Sequence, residues 1–140
     1  MPSRRAFLEL TASLLGLPAA QAFAGDAAQH RYAAHMARAL EMKRRAVAAG
    51  DQPYGAVVVK DGRVVGEAPS RVVAKRDWSA HAEREAIRDA QRRLGSPELG
   101  GCILVSTSRP CADCERSAFE ARISRMIHGE ALIDAGAPRA

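Results

Sequence analysis

Four side chains in this sequence stand at intervals that suit chemistry. His81 and Glu83 lie two apart in HAE, and Cys111 and Cys114 lie three apart in PCADC. A C-x-x-C pair ligates a metal, cycles between thiol and disulfide, or closes a plain disulfide. One imidazole with two thiolates and a fourth position left open is a catalytic zinc layout, whereas four closed ligands make a structural one. A redox pair of the thioredoxin kind also follows a strand and opens a helix, but it leaves HAE unexplained. Glu83, two residues past His81, points to another side of a helix and is free to serve as a general acid and base instead of a ligand. Glu85, in the same stretch, reads as a solvent-facing helix carboxylate.

The elements that must position these groups are legible from periodicity. QHRYAAHMARALEMKRRAVAAG (29 to 50) repeats apolar residues at helical spacing through Tyr32, Met36, Leu40 and Val47, and Gly50 ends it. YGAVVVKDGRVVGEA (54 to 68) is two β-branched runs around Asp61-Gly62, a dipeptide suited to a two-residue hairpin turn. SAHAEREAIRDAQRRLG (79 to 95) predicts a second helix with one apolar stripe. CILVST (102 to 107) predicts a buried strand, Pro110 opens a helix over 111 to 123, and RMIHG (125 to 129) predicts a last strand. The tail EALIDAGAPRA is expected to fray. The order α-β-β-α-β-α-β predicts an α/β fold, a mixed sheet of about four strands with helices on its faces. His81 and Glu83 then open the second helix, and both cysteines fall in the first turn of the third, where a helix N-terminus favours thiolate. Cys102 is a small core residue on this reading, and His30, His35 and His128 are structural.

HAE followed by PCxxC is the spacing signature of zinc deaminases. With the hairpin and the run PCADCERSAFEARISRMIHG, residues 54 to 129 resemble the cytidine and deoxycytidylate deaminase-like superfamily, nearest its guanine, cytosine and tRNA adenosine deaminase branch. The resemblance implies a three-layer α/β/α fold, short at its C-terminus, and Zn2+ held by His81, Cys111 and Cys114. It implies hydrolytic deamination, with zinc lowering the pKa of water and Glu83 carrying the proton to the ring nitrogen and the leaving amine. Backbone groups near Ala82 and Cys111 would hold the ring, Ser70 would make the polar contact from the loop after the hairpin, and Tyr54, Trp78 and Arg109 would wall a flat base. Relatives commonly carry asparagine at the place of Ser70, glutamate at that of Arg109 and a larger aliphatic at that of Ala118. The resemblance also implies a homodimer. Two other classes remain open: a zinc-binding module on a degenerate deaminase fold, and a periplasmic thiol oxidoreductase.

The N-terminus adds an address. SRRAFLEL resembles the twin-arginine export motif, with Arg4 and Arg5 before an apolar stretch (10 to 20) and the small-x-small pattern AFA (22 to 24). Residues 1 to 24 are therefore expected to be a signal peptide cleaved after Ala24, and 25 to 140 a periplasmic or secreted deaminase domain. Cargo of that route crosses folded, so zinc loaded beforehand would shield the thiolates. The apolar stretch is shorter than the roughly 20 residues of a membrane span. At 47% hydrophobic and 26% charged, the chain has an ordinary globular balance, and its three cysteines are too few for a disulfide-stapled scaffold. A net charge of +5 is a modest surplus for gripping a phosphate backbone, although KRR (43 to 45) concentrates part of it. A small soluble base or nucleoside, not folded tRNA, is the expected substrate.

Overall fold

In the computed structural model the described residues are 19 to 140, with the side chains from residue 27 onward except residue 28. The expected export motif, SRRAFLEL, lies outside them. The elements run α1 (Ala19–Ala48), β1 (Gly55–Lys60), β2 (Arg63–Pro69), α2 (Val72–Lys75), α3 (Ala82–Leu94), β3 (Ile103–Ser106), α4 (Ala112–Glu120), β4 (Arg125–His128) and β5 (Ile133–Gly136). The sheet order is β2-β1-β3-β4-β5, with β3 and β4 parallel and every other pair antiparallel.

Strand alternation divides the core into two layers. Val57 and Val59 of β1, Val105 of β3 and Ile127 of β4 face Met36 and Ala39 of α1. The intervening Ala56, Val58, Leu104 and Met126 face Ala82, Ala86, Ile87 and Ala90 of α3 and Ala118 of α4. The result is the three-layer α/β/α arrangement. Two glycines set how closely the helices approach. A Cβ on Gly55 would stand 2.2 Å from the Ala39 carbonyl, and one on Gly66 would stand 2.5 Å from that of Ala86, so α1 and α3 rest directly on the hairpin backbone. The hairpin turns through Asp61 and Gly62 at φ 49° and 75°, the left-handed pair a type I′ turn requires.

Three expectations need correction. The tail does not fray: Ile133–Gly136 adds a fifth strand beside β4, returned by a turn at Gly129 and Leu132. Of its residues IDAG only Ile133 favours a strand, and pairing with the open edge of β4 supplies what propensity does not. The segment after β2 contains a short helix, α2, too brief for any periodicity. The first helix begins at Ala19, ten residues before its apolar pattern does. Among the described residues no helix is long and apolar enough to cross a membrane.

Candidate metal centre and active site

The sheet brings four loops to one end. β1 runs antiparallel to both β2 and β3, so its start at Gly55 meets the ends of the other two: Ser70 N–H donates to the Tyr54 carbonyl, and Thr107 N–H to that of Gly55, each at 3.0 Å. From this end the chain enters α3 at His81 and α4 at Cys111. Both residues are N-caps with extended backbone, at φ −62°, ψ 150° and φ −71°, ψ 169°. Cys111 Sγ accepts the Cys114 N–H at 3.4 Å, which closes the first turn of α4 and fixes the two sulfurs on one face.

The two helix starts converge. His81 Nδ1 stands 3.6 Å from Cys111 Sγ and 3.4 Å from Cys114 Sγ. Ligand atoms at the zinc–nitrogen and zinc–sulfur distances of one tetrahedral ion stand about 3.5 Å apart, so this triangle fits zinc. All three cysteines are free thiols. Cys114 is buried and Cys111 exposed, so the triangle has one protein-packed side and one open side, as a catalytic centre needs. Burial, reinforced by the Glu83 carboxylate, pushes the Cys114 thiol well above its ordinary value. A cation bound at the triangle would favour the thiolate.

Glu83 is 5% exposed, and its Oε2 lies 3.9 Å from Cys114 Sγ. Burial raises its carboxyl above the usual carboxylate range, against the opposing pull of its own N–H and of His81. A cavity of about 470 Å³ opens over this group, lined by Gln52, Pro53, Tyr54, Trp78, His81, Glu83, Ser108, Arg109 and Cys111.

Residues 29–130 match the cytidine and deoxycytidylate deaminase zinc-binding region. The chain belongs to this deaminase family. Its similarities include 41% identity over 103 residues to the tRNA(Ile)-lysidine synthase of Deinococcus deserti, covering 73% of this chain and 19% of that protein. The tRNA-specific adenosine deaminase of Aquifex aeolicus is 39% identical over 89 residues, 64% of this chain and 59% of the relative. The solved structure of guanine deaminase from Bacillus subtilis superposes with a TM-score of 0.66 at 35% identity, covering 70% of this chain and 66% of that one. The chain thus spans less than two thirds of the length of those first two relatives. Family membership and the His81, Cys111 and Cys114 triangle agree on Zn2+ as cofactor.

This deaminase-family chain places the residues named from sequence unequally. Tyr54, Trp78 and Arg109 line the cavity with Glu83, His81 and Cys111. Ala82 is buried in the first turn of α3 and contributes no side chain to the lining. Ser70 is also absent from it: 2% exposed, it donates its hydroxyl to Asp51 Oδ1 at 2.9 Å. Glu85 is not solvent-facing. It is 2% exposed and receives Lys75 Nζ at 2.7 Å and the Arg88 guanidinium, which ties α2 to α3. Those hydrogen bonds overcome the cost of burial and hold its carboxyl below the ordinary value. Gln52, Pro53 and Ser108 were not foreseen. Their one signal is position, Gln52 and Pro53 just before β1 and Ser108 just after β3.

Proposed function

We propose that this chain is a zinc-dependent hydrolytic deaminase of a small amino-substituted nucleobase or nucleoside, releasing ammonia. The observation that carries the reading is Glu83, a buried carboxylate lining a cavity that His81 and Cys111 of the metal triangle also line. His81 Nδ1, Cys111 Sγ and Cys114 Sγ would hold the zinc. Bound there, zinc acts as a Lewis acid that brings the pKa of water toward neutrality. Glu83 accepts the proton of the attacking water, delivers it to the ring nitrogen beside the reacting carbon, and assists the departure of ammonia. Its burial favours the protonated state at the moment of delivery. Tyr54 and Trp78, 42% and 82% exposed, offer flat faces at the mouth, and Arg109 supplies a cation there. A degenerate zinc-binding module would have no use for a buried carboxylate beside the triangle. Export through residues 1 to 24, a periplasmic or secreted location and a homodimer belong to the same proposal.

Ammonia release tests it. Zinc-loaded protein is assayed against guanine, cytosine, adenine, their nucleosides, and tRNA anticodon stem-loops at physiological salt. Turnover of a free base or nucleoside supports the reading. Preferred turnover of the stem-loop overturns the substrate class, and no turnover of any substrate overturns the enzymatic reading.

A further inference from the structure

A base-binding cavity needs polar groups that read the edge of the ring as well as faces that cover it. At this site part of the polar lining is already committed. His81 and Cys111 belong to the metal triangle and Glu83 to proton transfer. Arg109 has donors only. Ser108 has a short hydroxyl, and its carbonyl already accepts the Ser106 Oγ–H at 2.5 Å. Ser70, on the loop after the hairpin, is committed to Asp51. That leaves Gln52.

We infer that Gln52 is the residue that recognises the substrate ring edge, an inference that rests on the deaminase reading above. Its main chain is held from both sides. Its N–H donates to Asp51 Oδ1 at 2.8 Å, and its carbonyl accepts the Tyr54 N–H at 2.8 Å. Asp51 is itself fixed, its two oxygens receiving the Ser70 hydroxyl and the Ala74 N–H, each at 2.9 Å. The carboxamide of Gln52 makes no hydrogen bond among the described residues, yet it lines the cavity. A fixed backbone carrying an unpaired side-chain amide is a preorganised reader. An amide offers an acceptor beside donors, which pairs in two places with a ring edge presenting a donor next to an acceptor, as a cis-amide or an amidine does. The substrate class narrows accordingly to heterocycles that keep such an edge in addition to the amino-bearing carbon under attack. Asp51 and Ser70 become positioning residues, which act through Gln52.

Trp78 provides a readout independent of turnover. It is the chain's single tryptophan and lines the same cavity, so its emission reports occupancy. The experiment titrates guanine, cytosine, adenine and their nucleosides into zinc-loaded wild type, Gln52→Leu, Gln52→Glu and Ser70→Ala, following Trp78 emission and steady-state kinetics. For the base that wild type turns over, Gln52→Leu is expected to weaken binding and raise KM by about 10- to 100-fold, with kcat little changed. Zinc content and thermal melting should stay at wild-type values. Gln52→Glu should reorder the panel toward rings that present two adjacent donors. Ser70→Ala, which loosens Asp51 and with it the Gln52 backbone, should raise KM less than Gln52→Leu does, with kcat little changed. Wild-type affinity and base order in both Gln52 variants would overturn the assignment while leaving the deaminase reading intact. Wild type that neither releases ammonia from any base nor changes Trp78 emission would overturn both.

Discussion

His81 and Glu83 sit two residues apart and are proposed to do different work, and the difference is burial and direction. His81, as N-cap of α3, turns its ring toward the sulfurs at 3.4 and 3.6 Å. Glu83, in the first turn of the helix, is buried beside them with a raised carboxyl pKa. The two roles separate experimentally. His81→Ala removes one of three ligands and is expected to lose zinc and to melt at lower temperature, because the metal ties the starts of α3 and α4 together. Glu83→Gln is expected to keep zinc, measured by metal analysis, and the wild-type melting temperature, yet to lose activity by at least about 100-fold. Equal loss of metal in both variants would make Glu83 a ligand.

The position of α3 is set by a contact with no side chain on one side. A methyl group on Gly66 would fall 2.6 Å from both Ala90 N and Ala90 Cβ, and neither can swing away as a flexible side chain would. Gly66→Ala must therefore push α3 off the sheet. It is expected to cost about 1–3 kcal/mol in denaturant unfolding, and to weaken zinc binding with it, because His81 moves with the helix. On the other side, α1 is fastened to β2 by Arg38, whose Nε and guanidinium nitrogen each meet a Glu67 carboxylate oxygen at 2.7 Å. That pairing, helped by Arg93 and opposed by burial, holds the Glu67 carboxyl below its ordinary value of 4.5. A carboxyl with a depressed folded-state pKa contributes stability that is complete above the unfolded value and is lost as pH falls through the folded one. Glu41, also bound by Arg38, shifts the same way. The melting-temperature gap between the natural chain and Arg38→Met should thus be widest above pH 4.5 and should narrow on further acidification, in melts followed by circular dichroism. A gap that widened in acid would show that the pair does not carry it.

At the scale of the whole molecule, three thiols and a proposed route out of the cytoplasm must coexist. Arg4 and Arg5 carry that proposal. Replacing both with lysine is expected to leave uncleaved protein in the cytoplasm, scored by fractionation and mass spectrometry. Unchanged export would point to the general secretory route and to zinc acquired outside. In protein exported by the twin-arginine route, zinc should already be bound, and Cys111 and Cys114 should resist alkylation until a chelator is added.

Much of this was written locally. The hairpin follows from Asp61-Gly62 between β-branched runs, α3 from its apolar stripe and the stop at Gly95, and the reactive set from HAE and PCADC, because turn, helix and motif signals depend on residues only a few positions apart. The tertiary structure decided what depends on residues far apart in sequence. His81 meets Cys111 across 30 residues only because two helices start at one end of the sheet. Glu85 reads as a surface carboxylate until Lys75 and Arg88 close over it. Ser70 reads as a substrate contact until Asp51, 19 residues before it, takes its hydroxyl. The fifth strand exists because β4 presents an unpaired edge to a tail with little strand propensity of its own. Propensity and motif act along the chain; burial, pairing and the cavity's free polar groups are set by which distant segments the fold brings together.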